Sequence, residues 1–141
     1  MKNADKKLWL QRAQEADELL DAMKASRQQV YEQLTSKTAS YSGMGGTGSP
    51  DPHKMERLAE LDEKIEHQQD EVLRFMIEIQ EAIGTVPDLK QRTVLQLRYM
   101  NWKRFSTWDE IANKMHYGKR HTQTIHGQAL SAIVIPERAT E

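Results

Sequence analysis

Residues 107–125 read Thr107-Trp-Asp-Glu-Ile-Ala-Asn-Lys-Met-His-Tyr-Gly-Lys-Arg-His-Thr-Gln-Thr-Ile125. The stretch has the spacing of a helix-turn-helix (HTH). Two short helices crossing steeply need a small residue at the crossing point, and Ala112 supplies it. Ile111, Met115, Tyr117 and Ile125 supply the apolar positions around it, and residues 116–118 (His-Tyr-Gly) make the turn. Thr107 followed three residues later by Glu110 is a capping-box pattern that starts the first of the two helices. Two positions depart from the usual pattern. His116 stands where glycine often sits, and Thr122 stands where an aliphatic side chain is usual, its methyl half-filling the site.

If Ile125 faces the core, then at 3.6 residues per turn Ala129 shares that face. Arg120, Gln123, Thr124 and Gly127 then point outward, with Lys119 and His121 on the flanks. Arg forms paired hydrogen bonds with guanine, Gln pairs with adenine, and a Thr methyl meets the thymine methyl. Lys119, Arg120, Gln123 and Thr124 are therefore the expected base-reading residues. Lys103, Arg104, Lys114 and His121 are the expected backbone contacts, which hold a protein on DNA without reading its sequence. Gly127 weakens a helix by about 1 kcal/mol relative to Ala, either for close approach to a phosphate or as a neutral surface position.

Upstream, Trp9, Ala13, Ala16, Leu20, Met23, Arg27, Val30 and Leu34 alternate spacings of four and three within an expected helix over residues 4–39. That is a heptad seam with one polar member, Arg27. A second seam runs through Leu58, Leu61, Ile65, Gln68, Val72, Phe75, Ile79 and Ala82, with Gln68 as its polar member. Residues 41–53, rich in glycine and proline, separate the two. Neither apolar stripe is stable alone in water, so the simplest assembly is an antiparallel hairpin, and pairing between two copies is the other solution. Gly84 and Pro87 mark the next boundary as a helix C-cap and a first-turn proline. A third helix is expected over residues 88–100, with Val94, Leu95 and Leu97 available for a core. The expected fold class is all-α: a long, coiled-coil-like hairpin over residues 1–84, a three-helix HTH domain over 85–135 and a tail over 136–141.

Composition narrows the function classes. Mean hydropathy is −0.79, which suits helices with narrow apolar stripes. Cysteine is absent, which removes disulfides and thiolate metal sites and fits a cytoplasmic protein. No apolar run approaches the roughly 20 residues of a membrane helix, and no signal-peptide core is visible. Twenty Lys/Arg stand against 21 Asp/Glu, a net charge of −1, but the charges are segregated. Residues 41–86 carry ten acids and four bases, whereas residues 90–135 carry eight bases and only Asp109 and Glu110 as acids. A basic end on a neutral chain is the electrostatic footprint of nucleic-acid binding.

Two motifs are decoys. Residues 43–48 match G-x-G-x-x-G, but that fingerprint needs a preceding strand and a βαβ unit. His116, His121 and His126 recur every five residues, which on a helix advances ~500° and splays the rings apart. They read as turn, flank and surface residues, with no metal expected. The acidic 56–81 run reads as a solvated helix face. No nucleophile–base constellation is recognisable, so neither enzymatic activity nor a cofactor is expected.

The segment Asp88-Leu-Lys-Gln-Arg-Thr-Val-Leu-Gln-Leu-Arg-Tyr99 resembles the helix before the HTH in region 4 of bacterial sigma factors. Thr107-Trp-Asp-Glu-Ile-Ala112 and Gln128-Ala-Leu130 resemble the matching pieces of that HTH. The resemblance covers residues 87–133, and LuxR-type regulators share much of the pattern. With its glycine-interrupted helical first half, the whole chain resembles the sigma-region-4-like late transcription regulators of Gram-positive phages, the RinA/ArpU type. That resemblance implies a cytoplasmic regulator in a bacterial host, acting on double-stranded promoter DNA and working with host RNA polymerase. It implies an activator or accessory subunit, since nothing here resembles the promoter-melting region 2. The N-terminal helices offer a route to a homo-oligomer. The alternatives are an interaction module that docks on RNA polymerase, and a small-terminase-like phage DNA-packaging subunit.

Overall fold

A computed structural model of the chain describes the backbone of residues 1–41 and 52–136 and the side chains of 1–35 and 52–136. Among the described residues it is all-helical: α1 (Asn3–Leu10), α2 (Arg12–Tyr41), α3 (Pro52–Ile83), α4 (Leu89–Tyr99), α5 (Trp108–Met115) and α6 (Lys119–Ala132). Most of the glycine-rich stretch 41–53, including the G-x-G-x-x-G match, and most of the tail lie outside the described residues. No described helix is long and apolar enough to cross a membrane.

The first helix is not continuous over 4–39. The interruption is one residue, Gln11, which keeps right-handed angles (φ −79°, ψ −6°) and still donates to the Lys7 carbonyl at 3.1 Å, and Arg12 is held beside it. Arg12 Nε donates to the Trp9 carbonyl at 3.0 Å, its guanidinium lies over the Trp9 and Phe75 rings, and it pairs with Glu78 at 3.1 Å. At the other boundary α3 ends before Gly84, as expected. Pro87, however, precedes the helix, and Asp88 is the N-cap of α4, accepting from Lys90 N–H.

The chain forms two compact units. One comprises Met1–Glu15 with Val72–Glu141; the other is Ala16–Glu71. The first carries 14 Lys/Arg and nine Asp/Glu, a net of +5; the second carries six and 12, a net of −6. In the first unit the core joins Trp9 and Leu10 of α1, Ile79 and Ile83 of α3, Leu95 and Tyr99 of α4, and Ala129 and Leu130 of α6. Ile133, just past α6, is 2% exposed and closes that core.

In the second unit α2 and α3 run antiparallel. Every described seam position there is buried or half-buried, from Ala16 to Leu34 and from Leu58 to Gln68. The two polar members find partners on the opposite helix. Arg27 Nε donates to Asp62 Oδ1 at 2.9 Å, and Gln68 Nε2 donates to the Ala16 carbonyl at 2.9 Å. Polar seam residues satisfied in only one alignment fix register at some cost in stability.

Candidate nucleic-acid interface

α5 starts where the capping chemistry places it. Thr107 is extended, and its hydroxyl oxygen accepts from Glu110 N–H at 3.2 Å. The Glu110 carboxylate accepts from the hydroxyls of Thr107 and Ser106 at 3.0 and 3.2 Å. The helix stops at His116, which takes left-handed angles with φ 63°. This explains the first departure from the usual HTH pattern: the turn requires the conformation glycine adopts freely, and His116 adopts it at a steric cost. Tyr117 follows, with the His121 ring edge-on at 4.7 Å and the Lys90 ammonium 5.3 Å above it. Gly118 is the extended N-cap of α6 and brings no capping side chain.

The second departure also has a physical account. Thr122 is fully buried, and its hydroxyl donates to the Gly118 carbonyl at 2.9 Å. The backbone bond satisfies the oxygen, so the side chain serves as a small apolar plug beside Ile125.

α6 separates its faces sharply. Thr122, Ile125, His126, Ala129 and Leu130 are buried. Lys119, Arg120, Gln123 and Thr124 are all exposed within its first two turns. Thr124 is exposed, and its hydroxyl donates to the Arg120 carbonyl at 3.0 Å. Lys119 Nζ is 4.0 Å from Asp109 Oδ1, so its charge is partly countered. His121 is exposed on the flank. Lys114 is exposed in the last turn of α5, whereas Lys103 and Arg104 are exposed on the α4–α5 connection, Arg104 with its guanidinium over Phe105. Gly127 is half-buried, and a Cβ added there would meet nothing within 4 Å.

His126 is not the surface residue its five-residue spacing suggested. It is 7% exposed, with Nε2 2.7 Å from the Tyr99 hydroxyl, its ring stacked on Tyr99 and met edge-on by Trp108. Burial, with Lys7 and Arg98 nearby, holds the imidazole down at about 4. Burial likewise pushes the Tyr99 phenol up to about 12. Both groups are neutral at pH 7, and their bond pins α6 to α4. A signal for this was present: His126 is four residues after Thr122 and four before Leu130, on the buried arc. Among the described residues no cluster of His, Cys, Asp and Glu could hold a metal ion.

Sequence reading missed Lys6 and Asn3. Lys6 Nζ donates to the carbonyls of Leu130 at 2.8 Å and Ile133 at 2.9 Å, at the C-terminal end of α6. No local pattern could reveal a partnership spanning more than 120 residues.

No curated protein and no solved structure matches the chain. A family model matches residues 45–133, covering α3 to α6 and hence both helices of the HTH. The chain belongs to that family, described as a protein of unknown function, DUF1492.

Proposed function

We propose that the protein is a sequence-specific DNA-binding transcription regulator that reads duplex DNA through α6. One observation carries the reading: Arg120, Gln123 and Thr124 are exposed while the opposite arc of the same helix is buried. The residue types suit base edges in a major groove. Helix physics gives a second argument. A helix N-terminus favours acids, each worth about 0.3–1 kcal/mol there, yet the first turn of α6 holds Lys119 and Arg120 and no acid. Two bases placed against the dipole cost helix stability; Asp109, 4.0 Å from Lys119, offsets part of that cost, and an anionic partner would offset the rest. The net charge of +5 on this unit acts in the same direction.

The resemblance to sigma region 4 and to late regulators of Gram-positive phages supports promoter DNA as the target and host RNA polymerase as the collaborator. On this reading the protein is a phage or prophage late-gene activator. Lys103, Arg104, Lys114 and His121 hold the DNA backbone. The α2–α3 unit, at net −6, is repelled by DNA and is the natural surface for a protein partner such as polymerase. Selection from a randomised duplex library tests the proposal. Enrichment of one motif supports it, and its loss on Arg120→Ala assigns the reading to α6. A protein that retains no duplex at low salt refutes it.

A further inference from the structure

α1 is tied to the C-terminal end of α6. Lys6 Nζ donates to the carbonyls of Leu130, Ser131 and Ile133 at 2.8, 3.4 and 2.9 Å. Asn3 Nδ2 donates to the Ser131 hydroxyl at 3.1 Å, and that hydroxyl donates to the Gly127 carbonyl at 3.2 Å. A helix leaves its last carbonyls without partners and gathers partial negative charge there. α6 has no basic residue in its own last turn. The Lys6 ammonium provides from the other end of the chain what α6 lacks. Beneath it, Trp9 and Leu10 of α1 share a core with Ala129 and Leu130.

The spacing of Arg120, Thr124, Gly127 and Ser131 puts all four on one face of α6. Asn3 therefore grips the C-terminal end of the face whose N-terminal half carries Arg120 and Thr124. A helix turns as a rigid rod, so a grip at one end, added to the His126–Tyr99 bond and the buried arc that hold its middle, bears on the rotation of side chains at the other. Base-edge hydrogen bonds tolerate only about 0.5 Å and 10–20° of error. Contacts between long basic side chains and phosphates are more forgiving.

We infer that Lys6 is a positioning residue for DNA reading: α1 is part of the reading head, and its hold on the end of α6 completes the constraint on the rotation of Arg120, Gln123 and Thr124 in the groove. The inference rests on the DNA-reading function proposed above. It predicts that Lys6 governs discrimination between sequences and has little effect on general affinity for duplex.

The test uses the full chain and two probes: the duplex enriched by the wild type from a randomised library, and a scrambled duplex of equal length. Lys6→Met removes the ammonium and keeps the stem, and Lys6→Arg keeps the charge and the donors. For Lys6→Met the preference for the enriched duplex should fall about tenfold, with affinity for the scrambled duplex within about twofold of wild type. Lys6→Arg should hold the preference within about threefold. Amide exchange at Ile133, whose N–H donates to the Ala129 carbonyl at 2.9 Å, should quicken in Lys6→Met alone. An unchanged preference in Lys6→Met overturns the inference, since Lys6 would then be an end cap and nothing more. Equal losses in both variants overturn it as well. Should Lys6→Met fail to fold, Asn3→Ala decides: a preference two- to threefold lower supports the inference, and an unchanged one overturns it. Failure of the DNA-reading function itself would show in the wild type, as a library with no enriched motif, and would remove the inference with it.

Discussion

The buried imidazole of His126 makes the stability of the α4–α6 core depend on acid. In the folded protein this group titrates at about 4, against about 6.5 in an unfolded chain. Between those values the unfolded chain binds the proton and the folded one does not. Stability from this site is therefore complete above about pH 6.5, falls as the pH drops toward 4, and is lost below that. Linkage over that window gives about 2 kcal/mol lost between pH 7.5 and pH 5. The charges facing the ring, Lys7 and Arg98, act in the same sense as burial, so protonation adds a third positive charge to an enclosed site. His126→Gln offers Tyr99 a hydrogen-bond partner and cannot protonate in this range. Urea unfolding of both proteins at the two pH values isolates the term, because losses from carboxylates are common to both. The wild type should lose about 2 kcal/mol more than the variant. Equal losses would refute the reasoning, as would an NMR titration placing the His126 ring at 6.5 or above.

Other outcomes follow from the turn and the outer face. Gly127→Ala should stabilise the protein by up to about 1 kcal/mol, since a Cβ there meets nothing within 4 Å; a thermal melt checks it, and a lower midpoint contradicts the open space. His116→Gly should raise stability by up to about 1 kcal/mol by releasing the left-handed φ of 63°, also read by thermal melting. Tyr99→Phe should cost about 1–3 kcal/mol, because it leaves the His126 nitrogen buried without its partner; urea unfolding at pH 7.5 measures it.

Periodicity carried much of this fold. The heptad seams correctly predicted which faces of α2 and α3 are covered, because an amphipathic helix has one way to bury its stripe. It could not show the interruption at Gln11, which no glycine or proline marks, or Arg12 reaching Glu78 on another helix. It also could not show α1 closing against α6, since Lys6 and the Leu130 carbonyl meet only in the folded chain. Within the HTH, the buried positions Ile111, Ala112, Ile125 and Ala129 followed from spacing. The five-residue histidine period is misleading for His126, because its four-residue relation to Thr122 and Leu130 decides its side of the helix. The exposure of the expected base readers followed from the helical period, but what they touch is a matter of chemistry with a partner.

The central claim is tested most directly by the salt dependence of binding to the selected duplex, measured by fluorescence anisotropy for the wild type and Arg120→Ala. Each neutralised phosphate contributes about −0.9 to the log–log slope. With Lys103, Arg104 and Lys114 on phosphates, the wild type should show a slope of about −3 or steeper. Arg120→Ala should lose about 1–3 kcal/mol on the selected duplex and discriminate less at one base position. A flat salt response, or an Arg120→Ala variant that binds and discriminates as the wild type does, would contradict the account.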